Sequence, residues 1–359
     1  REERRLAKNR VTPPPAADTI ELQLATLVDT APGSDDWVHE IKLDGYRIAA
    51  RVEAGAVQLL TRRQNDWTAR APKVADSLSK LPVQNAVLDG EIVSLQASGR
   101  SDFQSLQNAL SEGRSGSLVY YVFDLLFLDG VDLGPLPLLE RKRVLAKLLE
   151  KAGLPQIRLS DHVAGGGPRF FQQACKLNLE GIIAKRADAP YRPGRSKDWL
   201  KIKCIARQEF VIGGYTQPSG ARTHLGALLV GVREGERLRY AGKVGTGFTQ
   251  QSLRELHARL TPLERKTSPF DEPLKGAAFR GARWVEPTLV GEVQFSEFTQ
   301  DGRLRHPSFQ GLRDDKPARA VARETPVAAP AAAKPKAAKK AAAKKPAAKK
   351  ATKARGVSE

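Results

Sequence analysis

The sequence predicts an α+β protein with two folded units in series, a mixed α/β domain and then a small β-barrel, followed by a disordered basic tail. Three observations carry this. From about residue 18 to 206, short β-branched runs alternate with helical patterns, without the regular strand–helix alternation of a doubly wound sheet. From about 207 to 316, five or so short strands are separated by turn signals and one helical stretch. That pattern fits an OB-fold barrel, with an irregular α+β domain as the alternative. From 317 to 359 the chain is Ala, Lys and Pro in loose repeats such as KPKAAKKAAAKKPAAKK, which cannot bury a core.

The elements follow in order. Residues 1–17 are basic and then Pro-rich, and read as a linker. Strands are expected at Trp37–Ile41, Ile48–Val52, Val57–Thr61, Val87–Leu95 and Leu118–Phe127. Glu140–Ala152 is an amphipathic helix stopped by Gly153, and Pro168–Leu177 is a second helix. In the later unit, strands are expected at Phe210–Tyr215, Ala227–Val232, Leu238–Val244 and Leu289–Phe298, with a helix over Gln250–Leu260.

Composition narrows the function. The 359 residues suit two domains plus a tail. A formal charge of +19 calls for a polyanionic partner, nucleic acid or an anionic membrane surface. Twelve Lys/Arg against two Glu lie from Pro317 onward, so about half of the excess belongs to the tail. No apolar run is long enough to span a membrane and no signal peptide opens the chain. Cys175 and Cys204 could cross-link, but they make neither a disulfide framework nor a four-ligand zinc site. A reducing cytosol is the simple reading, with Cys204 a small buried residue. The chain has no Met and begins with Arg, which suggests a fragment or processed chain.

Five clusters carry the chemistry. In Glu40-Ile41-Lys42-Leu43-Asp44-Gly45-Tyr46-Arg47, a lysine at a strand end precedes a Gly turn, which presents an amine at a cleft rim. Asp89-Gly90-Glu91 puts carboxylates at a strand turn, suited to a metal or a ribose hydroxyl. Tyr121-Val122-Phe123-Asp124 offers an aromatic that could stack on a base. Leu179 to Arg186 has a carboxylate leading an apolar strand that ends in two cations. In Trp199-Leu200-Lys201-Ile202-Lys203 the two lysines share one strand face and repel unless an anion sits between them; a phosphate is the natural partner. Taken singly, each cluster also reads as an ordinary strand or turn.

Their order and spacing resemble the nucleotidyltransferase motifs of ATP-dependent ligases and mRNA capping enzymes. EIKLDGYR looks like motif I, TRRQNDWT like motif Ia, VLDGEIV like motif III, YVFDLLF like motif IIIa, EGIIAKR like motif IV and WLKIK like motif V. Gly311 to Lys316 looks like motif VI, which closes the OB domain in this family. The resemblance covers about residues 20 to 316. Tyr191 to Ser196 and Leu304 to Phe309 make it nearest to the ligase module of the bacterial multifunctional end-joining ligase.

The resemblance implies an ATP-grasp-like nucleotidyltransferase (adenylation) domain at 18–206, an OB-fold domain at 207–316, and Lys42 as the nucleophile that carries AMP. It implies Lys201 and Lys203 on the α-phosphate, their charge lowering the Lys42 pKa. It implies Phe123 on one face of adenine with Ile182 or Ile183 on the other, and Glu40, beside Ile41, on the exocyclic amine. Arg47, Arg62 and Glu91 would contact ribose and phosphate. Arg63 stands where the family has a smaller residue and could substitute for Arg62. Glu180, with Asp44 or Glu91, would hold Mg²⁺ or Mn²⁺, and Arg313 and Lys316 would orient the β- and γ-phosphates. Expected partners are nicked or broken duplex DNA, a Ku-type end-binding protein, and fused polymerase and phosphoesterase domains, in the bacterial cytoplasm at the nucleoid. The alternatives are an RNA ligase, a capping guanylyltransferase and a non-catalytic basic DNA-binding protein. Two cysteines exclude the zinc finger of an NAD-dependent ligase.

Overall fold

In the computed structural model, residues 12–218, 223–276 and 279–330 are described. The first unit is two sheets facing each other. Strands β1 (Gln23–Leu27), β2 (Trp37–Ile41), β3 (Tyr46–Glu53), β4 (Ala56–Thr61), β5 (Asn85–Ser94), β6 (Leu118–Leu128), β7 (Val131–Asp132), β8 (Ile157–Leu159), β9 (Val163–Ala164), β10 (Gly181–Arg186) and β11 (Gly194–Lys203) follow in chain order. One sheet has the order β1-β11-β10-β2-β9; the other runs β4-β3-β5-β6-β7, with β8 on β6. The residues from Lys42 to Gly45 carry the chain from one sheet to the other.

That crossing is tight. A Cβ on Gly45 would stand 2.2 Å from the carbonyl oxygen of Ile92, so only glycine lets the turn lie against β5. Gly181 at the start of β10 is under the same constraint, with Ile202 O 2.0 Å from its would-be Cβ.

Among the described residues, four helices cover the sheets: α1 (Pro72–Leu78), α2 (Phe103–Ser111), α3 (Leu138–Ala152) and α4 (Gly167–Lys176). α3 ends at Gly153 in the left-handed conformation, as its sequence predicts. Its buried face holds Leu138, Leu145, Leu148 and Leu149, and also two cations, Arg141 and Lys142. Burial of those charges requires partners. Asp124 on β6 chelates Arg141 at 2.7 and 2.8 Å, and Glu40 on β2 takes Lys142 at 2.8 Å.

The second unit contains β12 (Arg207–Tyr215), β13 (Leu228–Glu234), β14 (Arg237–Val244), β15 (Glu264–Arg265), β16 (Arg283–Val285), β17 (Val290–Gln294), β18 (Glu297–Phe298), β19 (Leu304–Arg305) and β20 (Ser308–Leu312). β14, β13, β12, β17 and β20 pair in sequence. A bridge between Thr246 and Ser308 brings β20 back beside the end of β14, closing the barrel. Helix α5 (Gln250–Leu260) has the predicted bounds and is capped by a reciprocal Thr249–Ser252 box. The strand expected over Leu289–Phe298 is broken: the Phe295 amide turns to the Ala206 carbonyl and the Phe295 ring enters the barrel core, so β18 starts a separate hairpin with β19.

Two expectations are corrected: Cys204 as a small buried free residue in a reducing cytosol, and a tail that begins at Pro317. Cys175 and Cys204 form a disulfide that joins the end of α4 to the residue after β11. The two positions meet because Leu179 and Glu180 fold α4 back onto β11, a proximity that sequence separation does not reveal. The tail also starts later than composition suggests. Residues 317–330 lie on the folded body: the Arg233 amide donates to the Val321 carbonyl and the Val327 amide to the Leu27 carbonyl. Val321 is fully buried, which fixes this segment to the barrel. Residues 331–359 lie outside the described residues. Among the described residues, no helix is long and apolar enough to cross a membrane.

Candidate active site

A cavity of about 200 Å³ lies where the two sheets and the barrel meet. Lys42, Asp44, Arg47, Glu91, Phe123, Glu180, Lys201 and Lys203 reach it from the first unit, and Arg313 and Lys316 from the second. Arg62, Glu40 and Ile41 also line it. Ile182 does not: it is buried in the core behind β10, and period-two alternation turns its neighbour Ile183 toward the cavity instead.

One end of the cavity is aromatic. The Phe123 ring meets Trp199 edge-on at 5.8 Å, the Lys185 ammonium sits 4.2 Å from both rings, and the Arg47 guanidinium lies 5.2 Å from Phe123. Arg47 is gripped by Asp89 at 2.9 and 2.6 Å, and Asp89 also accepts from the Tyr191 hydroxyl at 2.7 Å. Glu40 is buried and fully engaged, accepting from Lys185 at 3.0 and 2.9 Å, Lys142 at 2.8 Å and the Ser160 hydroxyl at 3.0 Å. Burial opposes its charge, but Lys142 and Lys185 outweigh that and hold its carboxyl below the usual range. Burial, only partly offset by Glu40, brings Lys185 down to about 8.

The other end is a field of ion pairs. Lys42 donates to Glu180 at 2.7 Å. Burial alone would lower its pKa, but Glu180, Glu91 and Asp44 together outweigh burial and raise it well above the ordinary lysine value. The expectation that Lys201 and Lys203 depress Lys42 therefore fails in this arrangement. Their own charge is met by another anion: Glu324 accepts from Lys201 at 2.5 Å and from Lys203 at 2.9 Å. Burial and the neighbouring Lys203 bring Lys201 down to about 8.

The barrel closes the cavity from above. Arg313 is chelated by Asp315 at 2.8 and 2.7 Å, bonds Glu292 at 3.0 Å, and lies over the Tyr46 and Phe103 rings. Lys316 bonds Glu209 at 3.0 Å. The Tyr46 hydroxyl and the Gln107 amide both donate to the Leu312 carbonyl, which seats the 311–316 segment on the first unit. Arg63 reaches over to the Asp314 carbonyl at 3.3 Å, while Arg62 faces the cavity.

The metal expectation is not met as arranged. Among the described residues no cluster of three or more His, Cys, Asp or Glu side chains is placed to hold an ion. Glu180 is engaged with Lys42, Asp44 with Arg207, and one Glu91 oxygen with the Gly45 amide at 2.9 Å. Burial, reinforced by Glu180 and opposed by Lys42, pushes Glu91 up to about 7.

Sequence reasoning misses Lys142, Ser160 and Glu324; it singles out Asp89 for a metal or a ribose hydroxyl and Tyr191 for the resemblance, whereas here Asp89 holds Arg47 and accepts from Tyr191. Lys142 looks like one of many solvated charges on a helix. Glu324 falls in what composition marks as tail.

Comparison with known proteins agrees with this geometry. Residues 15–203 match the ATP-dependent DNA ligase domain, and residues 221–316 match the C-terminal region of ATP-dependent DNA ligases. The chain is 46% identical over 319 residues to the multifunctional non-homologous end joining protein LigD of Pseudomonas aeruginosa, covering 88% of this chain and 38% of that protein. It is 40% identical over 282 residues to the protein of the same name from Mycolicibacterium smegmatis, covering 78% of this chain and 36% of that one. It therefore spans well under half the length of these relatives. A solved structure, mycobacterial DNA ligase D complexed with ATP and MES, aligns with a TM-score of 0.66 at 37% identity, covering 86% of this chain and 99% of that one. A nucleotidyltransferase domain followed by an OB-fold is thus the architecture of both, and the chain belongs to the ATP-dependent DNA ligase family.

Proposed function

We propose that this chain seals 3′-hydroxyl/5′-phosphate breaks in DNA through AMP carried on Lys42, as the ligase module of a bacterial end-joining repair enzyme. The observation that carries the reading is the convergence of Lys42, Lys201, Lys203, Arg313 and Lys316 on one cavity that ends in the Phe123–Trp199 aromatic corner. Five cations from two folded units suit a triphosphate, and the aromatic end suits a base.

In the first step the Lys42 Nζ lone pair attacks the α-phosphorus of ATP. A P–N bond forms, the bond to the bridging oxygen breaks, and pyrophosphate leaves with the electron pair. The amine has to shed a proton first, and Glu180 at 2.7 Å is the acceptor within reach. Lys201 and Lys203 face the α-phosphate, while Arg313 and Lys316 draw the leaving pyrophosphate away from the amine. Next, an oxygen of the DNA 5′-phosphate attacks the AMP phosphorus and Lys42 departs. Finally the 3′-hydroxyl attacks the activated 5′-phosphate, AMP leaves and the strand is continuous. The barrel has to lift between the first step and the next, because the Leu312 seat closes the cavity against DNA.

On the base, Phe123 and Ile183 serve as the two apolar faces with Ile41 at the rim, and Glu40 accepts from the exocyclic amine once one of its bonds to Lys185, Lys142 or Ser160 is given up. Arg47, Arg62 and Glu91 serve the ribose and phosphate. The family uses a divalent cation with its nucleotide. For Mg²⁺ or Mn²⁺ to be held here, Glu180 must first release Lys42, and the present arrangement of Glu180, Glu91 and Asp44 does not fit one. A Ku-type end-binding protein and fused polymerase and phosphoesterase domains belong to the same proposal, with the nucleoid as the place of work. A Ku homologue that neither binds the chain nor stimulates end joining would remove that part.

The test is incubation with α-labelled and, separately, γ-labelled ATP, with Lys42→Ala alongside and pyrophosphate pretreatment to strip any AMP already bound. Label retained from the α position alone, by the native protein alone, supports the reading and leads to a nick-sealing assay. GTP in place of ATP as the labelling nucleotide would favour a capping enzyme.

A further inference from the structure

The residues after the barrel do something the reaction does not ask of them. Residues 321–330 begin on the second unit and end on the first. Val321 is buried in the barrel's outer cluster, and Ala322 pairs with Arg233. At the far end Val327 pairs with Val28 beside β1. Between these anchors Gln208 clamps the strand from both sides: its side-chain amide donates to the Ala322 carbonyl at 3.1 Å and its oxygen accepts from the Glu324 amide at 3.0 Å. The clamp aims the Glu324 side chain into the cavity, with one carboxylate oxygen on Lys201 at 2.5 Å and the other on Lys203 at 2.9 Å.

Lys201 and Lys203 share one face of β11, so an anion between them is an electrostatic necessity. Here the chain supplies its own. A carboxylate bridging two ammonium groups through its two oxygens copies what two non-bridging oxygens of a phosphate would do. Both cannot occupy the seat.

We propose that residues 321–330 form an autoinhibitory strap in which Glu324 occupies the nucleotide-phosphate seat on Lys201 and Lys203 and has to withdraw before ATP can bind productively. The proposal rests on the reading that these lysines hold the α-phosphate. Release is local: it breaks two ion pairs and the bonds to Gln208, and Val327 at the far anchor is already 41% exposed. A binding-competent fraction below one raises the apparent Kd for nucleotide by the inverse of that fraction.

The test compares native protein with Glu324→Gln and Glu324→Asp. Self-adenylation rates are followed against ATP concentration, and melting is followed with and without α,β-methylene ATP, which binds but cannot transfer AMP. The strap predicts that Glu324→Gln lowers the KM for ATP, by about tenfold if the open fraction in the native protein is about one tenth. The effect falls on KM rather than on the rate at saturating ATP, and Glu324→Asp stays near the native value. It also predicts that Glu324→Gln melts lower than native without nucleotide, and that the gap narrows with α,β-methylene ATP, because the native contact is then already broken. An unchanged or higher KM in Glu324→Gln, or a melting gap that nucleotide does not narrow, overturns the strap and leaves Glu324 a structural ion pair. If the native protein takes no label, the function reading has failed, and the melts with α,β-methylene ATP still decide whether Glu324 and nucleotide compete.

Discussion

The two ends of the cavity are built on opposite principles. At the aromatic end every charge is paired with a fixed, buried neighbour: Arg47 with Asp89, Arg141 with Asp124, and Glu40 with both Lys142 and Lys185. These pairs join strands and helix of one unit and do not depend on ligand. At the ion-pair end, Lys42, Lys201, Lys203 and Lys316 pair with Glu180, Glu324 and Glu209, and Arg313 with Asp315 and Glu292, across loops and across the two units. On the proposed function, such pairs stand in for the nucleotide phosphates and have to exchange with them. On the same reading, the difference separates a preorganised seat for the base from a switchable seat for the phosphates.

Breaking the comparison begins with the nucleophile. Lys42→Ala is expected to abolish AMP labelling altogether, read by gel with α-labelled ATP, because Lys42 supplies the amine at the crossing between the sheets. Next comes the fixed end. Asp124→Ala leaves Arg141 buried without its carboxylate and should cost about 3–5 kcal/mol in urea unfolding, enough to threaten folding. Lys142→Met should cost less, since Lys185 still neutralises Glu40. The exchangeable end should behave in reverse. Lys316→Ala should cost less stability than Asp124→Ala, because Arg313 and Lys201 still offset the Glu209 charge, while self-adenylation slows markedly. A stability loss for Lys316→Ala matching that of Asp124→Ala would erase the distinction.

The smallest effect expected is on pH. Lys42 must lose its proton to attack, and its raised pKa means that the reactive amine grows with pH throughout the neutral range. Lys201, brought down to about 8, must keep its proton to hold phosphate. The first group makes kcat/KM for ATP rise with pH and the second cancels that rise, so the profile should climb to about pH 8 and level off above it. Lys201→Arg, which stays charged, should let the climb continue.

Much of the fold and of the site is legible in the amino-acid sequence. The ordered motifs identify the cavity residues, and helix Gln250–Leu260 and strand Trp37–Ile41 have the bounds their sequences predict. Three features are hidden for specific reasons. Period-two alternation says that Ile182 and Ile183 face opposite ways, but only packing against β2 and β11 says which one meets the cavity. Arg141 and Lys142 lie on the apolar face of an amphipathic helix, where charges look misplaced until Asp124 and Glu40 approach from other strands. Cys175 and Cys204 are near only because the chain doubles back between α4 and β11.

The sequence by itself determined the local elements, the nucleotidyltransferase-plus-barrel order and the lysine at the strand end, because these depend on propensity, periodicity and motif spacing along the chain. Only the tertiary structure decided which anion each cation meets. Charge pairing acts through space, and Glu324 lies 121 residues from Lys203 along the chain yet within 2.9 Å of it in the fold.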